Sequence, residues 1–272
     1  MTAWERHDLV TARRVVVKVG SSSISGENAG RIAMIVDALA SAHMRGTEVV
    51  LVSSGAISTG MPYLDLDLDM RPTDLATQQA AAAVGQNVLV YRYQDALRPF
   101  GIVAGQVLLT AGDLENSVHR SNAQRAMERL IDLRIMPIVN ENDTVATHEI
   151  RFGDNDRLAA LVAQLIGADA LVLLSDIESL YTRPPQEPGA KPIDRIGHDD
   201  NLADFEFGSV VVNSVGTGGA ATKVSAARLA AGSGIGVLVT GADLVAQALG
   251  GAQIGTWFAP RPAAVTSPVD TL

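Results

Sequence analysis

Residues 137–176 read PIVNENDTVATHEIRFGDNDRLAALVAQLIGADALVLLSD, and this stretch decides the fold. Just before and within its start lies an apolar run, residues 135–139, that breaks off in Asn140-Glu141-Asn142-Asp143. Such a run reads as a buried strand that delivers polar side chains to its carboxyl end. After Ile150-Arg151-Phe152, the sequence Gly153-Asp154-Asn155-Asp156 opens a segment in which Leu158, Leu161, Val162, Leu165 and Ile166 share one helical face. Asp154, Asn155 and Asp156 therefore stand at a helix N-terminus. Asp and Asn side chains there accept bonds from the orphan N–H groups of the first turn and suit the helix dipole. Capping accounts for Asp154 alone. It does not require three such residues beside a second polar cluster, and the combination points to a site for a small polar ligand.

Outward from this stretch, strand-like and helix-like segments alternate, which is the pattern of an α/β fold with a mostly parallel sheet. Toward the N-terminus, residues 15–19 form a β-branched strand that carries Lys18. A charge on a buried strand is paired or functional; at a solvated edge it is ordinary. Gly20-Ser21-Ser22-Ser23 follows as a turn whose backbone N–H groups could face an anion. A helix is predicted over 29–45, closed by Gly46, and a strand over 49–52 that runs into Ser53-Ser54-Gly55-Ala56. That junction is either an anion-binding turn or a plain helix cap. Residues 62–72 read as an exposed excursion, where Asp65, Asp67 and Asp69 lack the Gly and distal Glu of a calcium loop. A long Ala- and Gln-rich helix over 74–97 and a strand over 101–109 come next. The small residues 80–83 permit close helix packing, against this chain's own core or against a second copy in a homo-oligomer.

Toward the C-terminus, residues 170–174 form a strand ending in Ser175-Asp176, and 182–196, with four prolines, form a surface loop and a candidate join between halves. Thr217-Gly218-Gly219-Ala220-Ala221-Thr222-Lys223 then leads into a helix, a glycine-rich turn with a lysine in the first helical turn. That arrangement suits a phosphate, although it is neither the Walker A nor the Rossmann pattern. A strand over 235–240, a short helix over 243–249 and a last strand over 254–258 complete the pattern. The tail from 260 is expected to be disordered.

Composition excludes several classes. No run approaches the roughly 20 apolar residues of a membrane span, and the net charge of -9 argues against a broad nucleic-acid surface. Cysteine is absent, so neither disulfides nor a thiolate metal site is available, and a cytoplasmic setting is the default. An anionic substrate must meet a few local cations. Polar clusters end four strands, at Lys18-Val19-Gly20, Ser53-Ser54-Gly55, 140–143 and Ser175-Asp176, and in a parallel sheet such ends share one edge. Two lysines brought there from separate elements suit a transferring phosphoryl group, whose charge is spread over several oxygens.

The motifs VKVGSS, VSSGAIS, AAVGQ, VNEND, GDND, LSD followed by LYT, and GTGGAATK cover the chain from 15 to 258. With them the chain resembles the amino acid kinase family, and within it the glutamate 5-kinases. The resemblance implies a three-layer αβα sandwich over 1–259, with an N-terminal half that binds the amino acid and a C-terminal half that binds the nucleotide. It implies ATP- and Mg²⁺-dependent phosphorylation of the side-chain carboxylate of L-glutamate, the committed step of proline synthesis, with proline as feedback inhibitor. Ser54, Asp143 and Asn155 would bind glutamate, and Asn140 and Asp154 would line its pocket. Gly20, Ser175, Asp176 and 217–223 would hold the nucleotide. Lys18 and Lys223 would stabilise the transferring phosphoryl group, with Asp156 fixing both. Ser179 and Ala220 depart from the Gly and Met usual in the family, without touching a charged position. Many members continue into an RNA-binding-like PUA domain, whereas this sequence stops soon after Phe258, as a short or a trimmed form. An acetylglutamate kinase is disfavoured by Gly20-Ser21 in place of Gly-Gly, and a non-catalytic regulator by the presence of Lys18, Lys223 and Asp156.

Overall fold

The computed structural model describes residues 4–66, 72–146, 155–202, 211–212 and 217–262. In chain order the elements are β1 (Arg14–Val19), α1 (Arg31–Met44), β2 (Glu48–Ser53), α2 (Ala56–Gly60), α3 (Leu75–Leu97), β3 (Ala104–Leu109), α4 (Ala111–Glu115), α5 (Ser117–Asp132), β4 (Met136–Glu141), α6 (Asn155–Leu165), β5 (Ala170–Ser175), β6 (Arg195–Ile196), β7 (Val211–Val212), β8 (Thr217–Gly218), α7 (Ala220–Ala231), β9 (Gly236–Gly241), α8 (Val245–Leu249) and β10 (Thr256–Phe258). Eight strands form one sheet in the order β3-β4-β2-β1-β5-β9-β10-β6, and β7 pairs with β8 separately. All are parallel from β3 through β9; β10 runs antiparallel to β9, with β6 parallel to β10. Among the described residues no helix is long and apolar enough to cross a membrane.

The side-chain period of two sorts the layers. On β1, Val15, Val17 and Val19 join a core that includes Leu39 of α1, Leu89 and Tyr93 of α3 and Val245 of α8. Val16 joins the opposite core, with Met127 of α5, Leu158 and Val162 of α6 and Ala227 of α7. Helices thus cover both faces, and β1, β2 and β5 read as near-continuous apolar runs because both of their faces are buried. The αβα sandwich expected from the sequence is observed. Lys18 is on a central strand and only 3 % exposed, which disposes of the solvated-edge alternative.

Several boundaries shift. The strand expected over 135–139 continues through Asn140 and Glu141, since both find hydrogen-bonding partners while buried. The helix over 29–45 begins at Arg31, after a 3₁₀ turn at Gly26–Gly30. The α4–α5 pair carries only a sparse apolar stripe in the sequence: Leu114, Met127 and Ile131 are its buried side chains, with Ala123 packed against them. The segment 182–196 crosses the surface and rejoins the same sheet as β6. Residues 67–71 of the exposed excursion and most of the tail lie outside the described residues.

Of the stripe at 80–83, Ala81 and Ala82 pack within the chain, buried against Ala56, Ile57 and Met61, while Ala80 and Ala83 are exposed. At this contact the two helices meet backbone to backbone. A Cβ on Gly85 would come 1.8 Å from the carbonyl oxygen of Ala56, and one on Gly60 1.9 Å from that of Ala81. No rotamer relieves a clash with backbone, so Gly85→Ala is expected to destabilise by about 1–3 kcal/mol or more, lowering the thermal midpoint by several degrees. The control Gly30→Ala, with nothing within 4 Å of the added methyl, should stay within about 0.5 kcal/mol of the parent. Equal melting temperatures for the two variants would refute the contact.

Candidate functional site

Lys18 shares strand parity with Val16, so it points to the α6–α7 side of the sheet. There its Nζ lies 2.5 Å from Asp156 Oδ1, in the first turn of α6. From α7, Lys223 Nζ lies 3.3 Å from the other oxygen, Oδ2. The hydroxyl of Thr222 is 3.1 Å from that same Oδ2 and accepts from the backbone N–H of Gly219, the residue before α7. Asp156 is completely buried. Burial pushes its carboxyl up, but the two ammonium groups and the bonds from Lys18 and Thr222 outweigh that and hold it below the usual carboxylate range. Among the described residues two cations meet one anion here, an arrangement that favours an anionic ligand at the carboxyl edge of the sheet.

On the opposite face a chain of neutral groups meets the same edge. Asn155 Nδ2 donates to the carbonyl of Ser53 at 2.6 Å and to Asn140 Oδ1 at 2.7 Å. Asn140 Oδ1 also accepts from the backbone N–H of Glu141, while its Nδ2 donates to Gln86 Oε1 on α3 at 2.5 Å. Tyr93, two turns further along α3, places its hydroxyl 2.9 Å from Ser53 Oγ. Burial pushes the Tyr93 phenol far up, only partly offset by the bond with Ser53, so it stays a neutral partner. Asn155 and Asp156 are adjacent in sequence, yet one serves the amide chain and the other the lysines.

The remaining expected residues fall along this edge. Ser54 is half-buried beyond β2, its N–H donating to the carbonyl of Val19, and Gly55 takes φ 92° to turn the chain into α2. Asp143 is half-buried in the turn after β4. Gly20 is at the end of β1; a Cβ there would lie 3.8 Å from Lys18 Nζ. Ser175 ends β5, and the exposed Asp176 beyond it accepts from Ser23 Oγ at 3.2 Å. Thr217 and Gly218 form β8, Gly219 precedes α7, and Ala220, Ala221, Thr222 and Lys223 make its first turn. Asp154 lies outside the described residues. Sequence reasoning missed Gln86, Tyr93 and the hydroxyl pair Ser25–Ser58 at 2.9 Å, which joins the loop after β1 to α2. The signal for Gln86 was present: a polar residue beside a glycine in an Ala-rich helix.

A parallel sheet whose carboxyl edge brings two lysines against one buried aspartate, beside a hydrogen-bonded chain of amides, defines a phosphoryl-transfer enzyme. Residues 13–241 match the model of the amino acid kinase family. The chain is 69 % identical over 260 residues to the glutamate 5-kinase of Leifsonia xyli subsp. xyli, covering 96 % of both chains. It is 52 % identical to that of Salinispora arenicola, covering 94 % of this chain and 70 % of the other. Among solved structures, carbamate kinase from Giardia lamblia bound to AMP-PNP superimposes with a TM-score of 0.66 at 17 % identity, covering 93 % of this chain and all of that one, a likeness of fold. The chain belongs to the amino acid kinase family.

The lowered Asp156 carboxyl has a consequence for acid stability. Its folded value lies below its unfolded one, so its contribution is present in full above the ordinary Asp value of about 3.9 and fades as pH falls through the folded value. Asp156→Asn should be less stable than the parent at neutral pH, having left two lysines without their counter-charge. Its stability should also change less with pH below about 4. Thermal unfolding of both proteins from pH 7 downward checks this; parallel profiles would contradict it.

Proposed function

We propose that the protein transfers the γ-phosphoryl group of ATP to the side-chain carboxylate of L-glutamate, giving L-glutamyl 5-phosphate and ADP, the first step of proline synthesis. The observation that carries this reading is the Lys18–Asp156–Lys223 arrangement beside the amide chain Asn155–Asn140–Gln86. The glutamate 5-kinase relative at 69 % identity supports it.

In this reading a γ-carboxylate oxygen of glutamate forms a bond to the γ-phosphorus as the bond from phosphorus to the leaving ADP oxygen breaks. A side-chain carboxyl with an ordinary value of about 4.3 is already ionised at neutral pH, so no general base is needed. Positioning and charge compensation carry the rate. Lys18 and Lys223 face the charge on the transferring group, and Asp156 fixes both ammonium groups. Ser54, Asn140, Asp143 and Asn155, together with Asp154, are assigned in this reading to the binding of glutamate. Gly20, Ser175, Asp176 and the turn 217–223 lie along the nucleotide. When bound with the nucleotide, Mg²⁺ would supply further charge neutralisation on the phosphates.

The test is a hydroxamate assay with ATP, Mg²⁺ and a panel of carboxylates. L-Glutamate should be the preferred acceptor; better turnover of N-acetylglutamate would overturn the substrate, and no turnover of any carboxylate the reaction. Lys18→Ala and Lys223→Ala should each fold and lose roughly 10²–10³ in kcat, the usual loss for one preorganised charge-stabilising donor. The double variant should lose less than the product, since both act on one transition state. In this reading proline, itself an amino acid, competes with glutamate for the same pocket as a feedback inhibitor. It should then raise the apparent Kd of glutamate in calorimetry, and glutamate that of proline by the same factor; independent binding would exclude a shared pocket.

A further inference from the structure

The amide chain has a direction, and the direction can be read from its fixed ends. The backbone N–H of Glu141 can only donate, so the Asn140 atom facing it is Oδ1 and the other is Nδ2. The carbonyl of Ser53 can only accept, so the Asn155 atom 2.6 Å from it is Nδ2, and the second hydrogen of that nitrogen goes to Asn140 Oδ1. Both hydrogens of Asn155 are thereby used within the protein. What Asn155 has left for a ligand is Oδ1, an acceptor, which suits the ammonium group of an amino acid and repels a carboxylate. The main-chain N–H of Glu141 sets this polarity, and Gln86 Oε1, accepting from Asn140 Nδ2, holds the side chain in it.

We propose that Gln86 is a positioning residue that makes the pocket selective for ammonium-bearing substrates, acting through Asn140 to keep Asn155 Oδ1 free for the ligand. The proposal rests on the reading of the site as an amino-acid carboxylate kinase. Gln86 is 8 % exposed, and its Nε2 is buried without a partner among the described residues. An unsatisfied buried donor is costly, so the useful end of this side chain is Oε1. Its seat is rigid: the neighbouring Gly85 lies against the backbone of Ala56. Tyr93, seven residues on and so on the same side of α3, holds Ser53 as Gln86 holds Asn140. One helix thus grips the polar ends of two adjacent strands.

Calorimetry with L-glutamate and with glutarate, which has the same two carboxylates and no ammonium, tests this. Gln86→Met keeps the side-chain length and removes the acceptor. It should weaken glutamate about tenfold, the scale of one lost hydrogen bond to a charged group, and glutarate clearly less, so that the preference between them shrinks. Gln86→Glu retains the acceptor and replaces the unpartnered nitrogen by a second oxygen, and since its added negative charge does not repel an ammonium group it should keep the preference. A structural role alone would weaken both ligands by the same factor. That result, an unaltered preference in Gln86→Met, or a preference lost equally in Gln86→Glu, would overturn the proposal. Should the methionine variant not fold, Gln86→Ser, which admits water, takes its place. Wild-type protein that forms no glutamyl hydroxamate would count against the kinase reading, while the ammonium preference would still be decided by the binding of the two ligands.

Discussion

The carboxylate of Asp156, sealed from water between two ammonium groups, is the constraint on which the rest of the structure depends. It ties β1, α6 and α7 together at one point. Burying each ion costs several kcal/mol even after relaxation, and only close geometry and added hydrogen bonds offset that. The site supplies both, with Lys18 at 2.5 Å and the Thr222 hydroxyl at 3.1 Å. The balance is still incomplete, because two lysines face one aspartate. For stability alone, an apolar trio would serve as well or better. The surplus charge is intelligible as preparation for an anion, a structure whose electrostatics are finished by its ligand.

That arrangement depends on strand parity. On β1 the alternation that sends Val15, Val17 and Val19 to one core sends Val16 and Lys18 to the other. On β2 and β4 the same alternation turns Ser53 and Asn140 toward α3, where Tyr93 and Gln86 receive them. The charged and the amide halves of the site therefore belong to opposite faces of the sheet and meet only at its carboxyl edge. The first turn of α6 bridges them, Asn155 reaching the strand ends and Asp156 the lysines. A one-residue slip of β1 would send Lys18 to the wrong face, so the buried valines that fix the register also fix the chemistry.

This explains which parts were legible in the sequence. Features carried by local pattern could be read directly: the β-branched strand with Lys18, the polar end of β4, the Asn155-Asp156 helix start, and the lysine in the first turn of α7. The layered fold followed from alternation, because both-face burial makes continuous apolar runs. What could not be read was pairing across the sheet. Nothing near Gln86 in sequence announces that Asn140, 54 positions away, needs an acceptor. α3 looks weakly amphipathic for the same reason: its inner side carries Gln86 and Tyr93 toward the site and Gly85 toward α2, where an ordinary helix would carry leucines. The α4–α5 pair escaped because it gives so little apolar surface to the core.

A division of labour between the halves follows from the chemistry of the acceptor. A carboxylate nucleophile arrives charged and needs no base, so the site can place its cationic groups on the phosphoryl side. Lysines in the amino-acid pocket would attract the wrong end of the substrate and compete with the transferring group. Amides avoid this, since they present donors or acceptors without a net field, but an amide can turn over and exchange its two ends. Its polarity must therefore be imposed by neighbours that cannot turn. Here those neighbours are main-chain groups, the carbonyl of Ser53 and the N–H of Glu141. Both belong to adjoining parallel strands whose positions the two cores already fix. Recognition on this side of the site is thus borrowed from the backbone of the sheet, and the same strands that bury the valines set which end of a substrate can be received.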